Sequence, residues 1–388
     1  MKHLKRALQY GRRGMFVPET LQNEILSNIS VDNTASVLVI FSYEFLPTLA
    51  ELGYTNVTLY HTKPNLAMRN LAKLYNYQVV EDLEDMKFDI IVGNPPYQST
   101  DTNGDRKSKS TNLWSRFTHM SFDLVEDNGI IALVTPSSWA SSTVDINQGK
   151  IKLFKDVFVK NNPISINTQN VASHFPGVGS TFSYFVIQKG DNKGSTKLVD
   201  SQGNSFFEDL RGYESLPKII SKETMSIEKK FSKHMTDNET CQGQLQGKSC
   251  LYSDTKSKEF ACEAYHTKSV ENAGKTWYTN VKHPNFDNKK IIFSLSGYFE
   301  PYADNGNIGY TDMCLSYILK EGELLTAAEQ VFGSKLYKFY LENNKWSGFS
   351  PKEIIRSFPV LDLTREWTPA EIYDYFGLTQ EEIDVVEA

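Results

Sequence analysis

The chain alternates short runs of strand-forming residues with helix-like stretches over residues 35 to 189. Seven runs rich in Val, Ile, Phe and Tyr begin at Ser36, Asn56, Tyr77, Phe88, Gly129, Ser165 and Thr181. Helix-like segments lie between several of them, such as residues 45–53 and 113–129, and we expect the second helix to end at Gly129 as a C-cap. Alternation of this kind is typical of an α/β layered fold with a mostly parallel sheet.

The last two strand runs are joined without a helix. The segment between them, residues 171–180, reads VASHFPGVGS, and its proline and glycines favour a turn. Two strands joined by a tight turn are antiparallel. We therefore predict an α/β, Rossmann-like sheet of seven strands that ends in a late antiparallel hairpin.

A second domain follows. After residue 190 the composition becomes polar and irregular, so we place a boundary near Gly190 and expect domains at residues 1–190 and 191–388. Near the C-terminus, Ser350, Thr368 and Thr379 each stand three residues before a glutamate, as in a helix capping box. The second domain is accordingly predicted to be α+β with a helical tail.

Composition and charge narrow the function classes. The content of 40% hydrophobic and 23% charged residues is that of a folded protein, and a formal net charge of −6 means that nucleic-acid contact would depend on a local basic patch. The four cysteines have no C-x-x-C spacing, which argues against a zinc knuckle, and we expect no metal. No window approaches the ~20 apolar residues of a membrane span, so we expect a cytoplasmic protein without membrane contact.

The fourth strand run, FDIIVG, ends at Gly93 and is followed by Asn94-Pro95-Pro96-Tyr97. In open parallel sheets, ligands bind beyond the carboxyl ends of the strands, which is where this tetrapeptide should lie. Proline fixes φ and disfavours helix in the residue before it, so the two prolines predict a stiff, extended corner. Such a corner suits the presentation of hydrogen-bond acceptors in fixed directions.

These residue types fit chemistry on a planar exocyclic amine, such as that of adenine. The amine nitrogen is a poor nucleophile because its lone pair is delocalised into the ring. The side-chain oxygen of Asn94 and the carbonyl oxygen of Pro95 would accept its two hydrogens and turn the lone pair toward an electrophilic methyl group. The ring of Tyr97 offers a stacking face for the base, a contact worth about 1–3 kcal/mol.

The strand and its Asn-Pro-Pro-Tyr motif resemble those of N6-adenine DNA methyltransferases that use S-adenosylmethionine. Three further segments are similar to motifs of the gamma class of these enzymes: RRGMFVPETL from Arg12, STNLWSRF from Ser110 and ALVTPSSW from Ala132. Residues 357–383 are similar to the tails of adenine methylases from restriction-modification systems and phages. The resemblance is loose between residues 198 and 288.

The resemblance implies a methyltransferase fold for the first domain, S-adenosylmethionine as cofactor, and recognition of a double-stranded DNA target by the second domain. It makes the Asn-Pro-Pro-Tyr residues the catalytic group and places Phe16 and Pro18 at the methionine end of the cofactor. A cognate restriction endonuclease is the implied partner protein.

A base flipped out of duplex DNA needs a second wall opposite Tyr97. An antiparallel strand begins at the edge where its parallel neighbours end, so Phe182, at the start of the last strand, is predicted to form that wall. Tyr184 is the alternative because both side chains point to the same face at period 2. A purely structural role for these aromatic residues in the core stays open.

The cofactor motif departs from the family pattern. Phe41, Ser42, Tyr43 and Glu44 follow the first strand, where glycines are expected, and the second strand ends at His61 rather than at an acidic residue. This departure leaves the way in which the domain binds a cofactor open to three interpretations.

In the first interpretation, altered contacts bind the cofactor, drawn from Phe41, Ser42, Glu44, His61, Glu81 and Asp82. Ser42 or Glu44 would bind its amino-acid moiety, His61 its ribose, and Glu81 or Asp82 the N6 amine of its adenine. In the second, the domain is a catalytically silent DNA-binding relative or needs a partner subunit. In the third, the cofactor is an unusual one.

Basic residues follow the catalytic corner. Arg106, Lys107 and Lys109 lie in a loop rich in Gly, Ser and Asp and are predicted to hold phosphates beside the flipped base, although a solvated loop would have the same composition. Glutamine-N5 protein methyltransferases share the catalytic motif and are the alternative enzyme class. The long C-terminal domain argues against them.

Overall fold

The computed structural model describes residues 16–84, 86–97, 113–141, 145–146, 151–175, 181–236, 241–242, 251–266, 276–296, 299–346 and 352–388. Its internal contacts divide the chain into two compact units, Met1–Ser215 and Leu216–Ala388. The first unit thus extends beyond Gly190 and includes two strands that follow that residue.

The strands of the first unit are β1 (Val37–Ile40), β2 (Val57–Tyr60), β3 (Gln78–Val80), β4 (Phe88–Gly93), β5 (Val125–Pro136), β6 (Asp145–Ile146), β7 (Ile151–Lys152), β8 (Asn162–Asn167), β9 (Phe182–Gln188), β10 (Thr196–Val199) and β11 (Ser205–Glu208). Nine of them form one sheet in the order β11-β10-β8-β9-β5-β4-β1-β2-β3, and β6 pairs with β7. Neighbours from β3 to β5 are parallel, whereas β9 is antiparallel to both β5 and β8. The predicted Rossmann-like sheet and its late antiparallel strand are confirmed, and β10 and β11 extend it.

The helices of this unit are α1 (Glu19–Leu26), α2 (Phe45–Glu51), α3 (Leu66–Leu74) and α4 (Leu113–Leu124). Two 3-10 helices, Ser137–Ala140 and Val171–His174, and a π-helix, Leu153–Phe158, complete the described elements. Every residue of β1 is fully buried, which explains its continuous apolar sequence, since a parallel strand covered on both faces does not alternate.

One helix end differs from the sequence-based expectation. Helix α4 stops at Leu124 and β5 begins at Val125, so Gly129 lies inside a strand and is not a helix C-cap. Val125 pairs with Phe88, and the register shifts before the pairing resumes at Ile130. Asn128 takes a left-handed φ of 65°, which its short polar side chain tolerates. The demand for strand pairing therefore overrides the helical pattern of this segment.

Gly93 allows β4 to approach β1 closely at the carboxyl edge of the sheet. It pairs with Ile40, and a Cβ atom at this position would lie 2.3 Å from the backbone oxygen of Ile40. Real Cβ atoms do not come this close to backbone, so only glycine fits between the two strands. The Asn-Pro-Pro-Tyr corner leaves the sheet directly after this residue.

We predict that Gly93→Ala lowers the free energy of unfolding by about 3 kcal/mol or more, because two strands must separate to admit the methyl group. The matched control is Gly212→Ala, whose Cβ would meet no atom within 4 Å although φ is +89°. The control should lose only about 1 kcal/mol, the cost of the left-handed backbone. Urea denaturation measures both values, and equal losses in the two variants would contradict the account.

The second unit contains helices and two small sheets, as expected for an α+β domain. Its strands are β12 (Cys241–Gln242), β13 (Tyr252–Ser253), β14 (Cys262–Tyr265), β15 (Trp277–Thr279), β16 (Lys289–Ser294), β17 (Tyr302–Asn305), β18 (Gly309–Tyr310) and β19 (Cys314–Ile318), in sheets ordered β12-β19-β16-β17 and β13-β15-β14-β18. Its helices are α5 (Lys222–Ser232), α6 (Leu325–Phe332), α7 (Lys335–Asn344), α8 (Lys352–Arg356), α9 (Pro369–Tyr375) and α10 (Gln380–Glu387).

The helical tail starts where the sequence predicts. Capping boxes at Thr368 and Thr379 open α9 and α10, while the third, at Ser350, lies outside the described residues. The helices pack on β16 and β19 around Phe231, whose ring stacks on Phe376. Within the described ranges, no helix of either unit is long and apolar enough to cross a membrane.

A buried ion pair lies beside the core of the second unit. Lys290 is fully buried, and its Nζ donates to the carboxylate of Asp304. It also donates to the carbonyl oxygens of Phe286 and Asn288, over 3.1 Å in both cases. Nearby His283 is 3% exposed, and its ring centroid lies 3.8 Å from that of Tyr310. Burial, together with the charge of Lys290, lowers the pKa of His283 to about 4.

We predict a pH dependence of stability from His283. Because its pKa is about 4 in the folded chain against an ordinary 6.5, the unfolded chain binds a proton first as the pH falls. The stabilisation is fully present above pH 6.5 and is lost between pH 6.5 and pH 4, to an extent on the order of 3 kcal/mol. Urea denaturation at several pH values measures it.

His283→Asn is the matched variant, since an amide oxygen can replace Nδ1 as acceptor for the backbone N–H of Asn285. Its unfolding free energy should change less than that of the unaltered protein between pH 6.5 and pH 4. Parallel pH profiles for the two proteins would show that His283 does not cause the effect.

Candidate functional site

The ends of β1 and β4 meet at the carboxyl edge of the sheet and bring two predicted site residues together. The backbone N–H of Asn94 donates to Oγ of Ser42 over 2.7 Å, and both residues are buried, at 3% and 0% exposure. The hydroxyl therefore fixes the first residue of the Asn-Pro-Pro-Tyr corner against the turn that follows β1. Pro95 is also buried, and Pro96 and Tyr97 are half-buried.

The segment that precedes α1 is bound to the same edge. The backbone N–H of Val17 donates to Oε1 of Glu44 over 3.2 Å, and the ring of Phe16 meets that of Tyr43 edge to face at 5.6 Å. Pro18 is the N-cap residue of α1. Phe16, Pro18, Ser42 and Glu44, which are distant in sequence, thus converge where the methionine end of the cofactor was expected.

Glu44 places a carboxylate with only 7% exposure at this edge. A buried carboxylate is costly unless charged or polar donors surround it, and an ammonium group is a strong partner. Ser42 and Glu44 are therefore the residues that could hold the amino-acid end of S-adenosylmethionine. Tyr43, which the sequence analysis did not assign, supports Phe16 in this arrangement.

The aromatic walls predicted for a flipped base lie next to each other. The ring centroids of Tyr97 and Phe182 are 5.5 Å apart with an interplanar angle of 44°, and Phe182 also packs on Phe175 at 4.8 Å. A base stacked between two rings needs about two van der Waals separations, or about 7 Å. In this conformation the two rings touch, and a base would have to separate them or stack on one of them.

Tyr184, the alternative wall, has a different environment. It is fully buried, and its hydroxyl donates to Oε1 of Glu24 on α1 over 2.8 Å. Burial, followed by the nearby charge of Glu24, raises its pKa well above the ordinary value. The residue ties α1 to β9, so the geometry favours Phe182 as the residue that faces the catalytic corner.

Phe41 stands where a glycine is expected and has a glycine-like backbone. Its φ is 61°, a left-handed value that costs a bulky residue about 1–2 kcal/mol. Its ring lies against Tyr60 at 5.4 Å, His61 at 4.9 Å and Phe117 at 5.0 Å, and the residue is 6% exposed. The turn after β1 thus keeps the shape of a glycine turn but fills it with an aromatic ring.

The other predicted contacts of the adenosine end are only partly assembled. Nδ1 of His61 accepts the backbone N–H of Lys63 over 3.0 Å, which occupies the ring nitrogen nearest the chain. Asp82 follows β3 and helps to raise the pKa of Tyr60, whose main cause is burial. Glu81 forms an exposed ion pair with Arg69 at 2.5 Å. Phe41, His61 and Asp82 therefore surround one region at the ends of β1, β2 and β3.

Tyr60 and Phe117, the aromatic neighbours of Phe41, could not be identified from the sequence. Tyr60 ends β2 and Phe117 lies in α4, and no local pattern links them to residue 41. Arg106, Lys107 and Lys109, the predicted phosphate contacts, lie outside the described residues. Among the residues that are described, no group of three His, Cys, Asp or Glu side chains could hold a metal ion.

Residues 31–166 match the family model described as Eco57I restriction-modification methylase. Over this segment the chain is similar to the methylases of that family. The matched segment includes β1, β4, the turn after β1 and the Asn-Pro-Pro-Tyr corner. This match agrees with the predicted resemblance to methylases of restriction-modification systems.

Solved structures show distant overall likeness. A protein described as a class I S-adenosylmethionine-dependent methyltransferase from Listeria monocytogenes is 14% identical, with 50% of this chain and 69% of that chain covered and a TM-score of 0.38. A modification subunit of a type I restriction enzyme from Vibrio vulnificus is 13% identical, with 63% and 60% covered and a TM-score of 0.37.

The type IIG restriction endonuclease BpuSI is 11% identical, with 99% of this chain covered and a TM-score of 0.43, and this chain spans 62% of its length. Likenesses with TM-scores under 0.5 transfer no activity to this chain. No curated protein matches the chain in sequence.

The two ends of the candidate site differ in polarity. Ser42 and Glu44 are buried polar residues that could hold the amino-acid end of S-adenosylmethionine, whereas Phe41 lies among aromatic rings beside the end of β2. The second strand of the domain offers His61 instead of a carboxylate for the ribose hydroxyls.

We predict that Ser42→Ala lowers the free energy of unfolding by about 1–3 kcal/mol, since it removes the buried acceptor of the Asn94 N–H. The matched control is Ser121→Ala, which removes a buried hydroxyl that donates to the helical carbonyl of Phe117 over 2.8 Å. The control should change stability by less than about 0.5 kcal/mol. Urea denaturation compares the two, and a control as destabilised as Ser42→Ala would refute the assignment.

Proposed function

We propose that the protein is a DNA adenine-N6 methyltransferase that transfers a methyl group from S-adenosylmethionine to a flipped adenine. The observation that supports this best is the position of Asn94. It is buried at the carboxyl end of β4, held by Ser42, and followed by two prolines and Tyr97, in a segment that matches a methylase family.

The chain's own residues prepare the amine. In the proposed reaction, the side-chain oxygen of Asn94 and the carbonyl oxygen of Pro95 accept the two hydrogens of the adenine amine. Since the prolines and the Ser42 hydrogen bond fix these acceptors before the base arrives, little reorganisation is needed when charge develops on the nitrogen. When bound, S-adenosylmethionine would supply the methyl group: the new N–C bond would form as the S–C bond breaks, S-adenosylhomocysteine would leave, and the methylated amine would lose one proton to water.

The base-binding wall is proposed to consist of Tyr97 and Phe182. Because their rings are in contact at 5.5 Å, entry of adenine would separate them, and the base would gain the stacking energy that the two rings lose. The adenine must leave the duplex and enter such a pocket, because its amine cannot be reached while the base is stacked in the helix.

The second unit is proposed to recognise the DNA sequence. Tyr252, His266 and Trp277 form an aromatic cluster on its β13-β15-β14-β18 sheet, with ring centroids 4.5–5.6 Å apart. Tyr252 is 41% exposed. Arg106, Lys107 and Lys109 are proposed to hold phosphates near the flipped base, and a cognate restriction endonuclease is the proposed partner in the cell.

The test is tritium transfer from labelled S-adenosylmethionine to duplex DNA. Asn94→Ala should lower the transfer rate by about 10²–10³-fold, the usual effect of removing one preorganised polar contact to a reacting group. Asn94→Asp retains acceptor oxygens and should keep more activity than the alanine variant. The labelled product should be N6-methyladenine on digestion of the DNA.

The alternatives give different results. Label in protein glutamine and none in DNA would point to the glutamine-N5 class. If the chain binds DNA but transfers no label and binds no cofactor, it is a silent DNA-binding relative. Equal transfer by Asn94→Ala and the unaltered protein would remove the basis of the proposed mechanism.

A further inference from the structure

We propose that the Phe41 ring occupies the adenosine subsite of this methyltransferase, and that S-adenosylmethionine binds only when the ring moves out. This inference rests on the proposed function, because it concerns how that cofactor enters. Phe41 thus distinguishes this chain from a domain in which glycines leave the turn after the first strand open.

The position of the ring follows from the order of the strands. β1 lies between β4 and β2, and Phe41 is the first residue after β1. Nucleotide ligands of open α/β sheets bind in the crevice beyond the carboxyl ends of such strands, and the end of the second strand contacts the ribose. Phe41 contacts Tyr60 and His61 at the end of β2, so its ring lies in the part of the crevice that a ribose would use.

The same ring reaches across the crevice. Phe117 belongs to α4, which follows β4, and its ring meets that of Phe41 edge to face at 5.0 Å. The Phe41 ring therefore contacts the end of β2 on one side of β1 and α4 on the other side. It spans the space between the end of β2 and α4. Adenosine could not occupy this space together with Phe41.

The ring is an occupant of the subsite rather than a stacking wall. A ring on which adenine stacks must have one open face. Phe41 is only 6% exposed, and three aromatic rings contact its side chain. Its backbone has a left-handed φ of 61°, which disfavours a side chain of this size. The contacts of the ring offset this strain, and their loss would favour another backbone conformation at the same time.

Calorimetric titration of the full chain with S-adenosylhomocysteine, without DNA, tests the proposal. Phe41→Gly removes the ring and suits the left-handed backbone, so it should bind the compound at least tenfold more tightly than the unaltered protein. Phe41→Asn, which also tolerates this φ, is the second variant and should bind more tightly as well. Circular dichroism and thermal unfolding establish that each variant is folded.

Phe122→Ala is the matched control. This substitution removes an aromatic ring from the same helix, α4. The ring centroid of Phe122 lies 6.3 Å from that of Phe158, which is not one of the aromatic neighbours of Phe41. Its affinity for S-adenosylhomocysteine should equal that of the unaltered protein. An equal gain in Phe122→Ala would mean that loosening α4, and not vacating the subsite, explains the effect, which overturns the proposal.

Two results separate this inference from the proposed function. If folded Phe41→Gly and Phe41→Asn bind no more tightly than the unaltered protein, while that protein methylates DNA, the occupied subsite is refuted and the enzyme assignment stands. If neither the unaltered protein nor the variants bind S-adenosylmethionine or its product, with or without duplex DNA, and no methyl transfer occurs, both are refuted.

Discussion

The close approach of β4 to β1 is the constraint on which the rest of the N-terminal unit depends. Gly93 lies so near the backbone of Ile40 that a single methyl group would force the strands apart. One residue later, the N–H of Asn94 reaches the hydroxyl of Ser42. Because the strand pairing and this hydrogen bond fix the same few residues, the Asn-Pro-Pro-Tyr corner is a rigid extension of the sheet. Preorganised acceptors of this kind are effective only when their own positions are fixed.

The two ends of the candidate crevice differ in chemistry. At one end, Ser42 and Glu44 place buried oxygen atoms beside the segment that enters α1, and the backbone of Val17 ties that segment to Glu44. At the other end, Phe41 gathers Tyr60, His61 and Phe117 into an aromatic cluster. A methyltransferase in which adenosine must displace a side chain couples cofactor binding to a local rearrangement. The apparent affinity is then the intrinsic affinity multiplied by the fraction of molecules in which the subsite is open.

The C-terminal unit is stabilised in a different way. Its core combines the helices around Phe231 with a buried ion pair, Lys290 and Asp304, whose remaining hydrogen-bonding capacity is satisfied by backbone groups. A buried pair contributes little unless its polar atoms are satisfied, and here they are. Burial is the main reason that the pKa of His283 is low, and the nearby charge of Lys290 lowers it further. The core of the C-terminal unit therefore supports its short strands and the aromatic cluster on them.

The sequence by itself determined the elements whose signals are local. Alternating apolar runs predicted the seven strands, the Pro-Gly segment predicted the antiparallel direction of β9, and the threonine caps predicted the starts of α9 and α10. The Asn-Pro-Pro-Tyr motif could be placed at a strand end because proline restricts the backbone within the motif itself. Only the tertiary structure decided the end of α4, where pairing of Val125 with Phe88 prevailed over a helical pattern. It alone also brought Glu44 to Val17 and Phe41 to Phe117, because contacts between distant residues depend on how strands and helices pack, and no local preference of either residue encodes its partner.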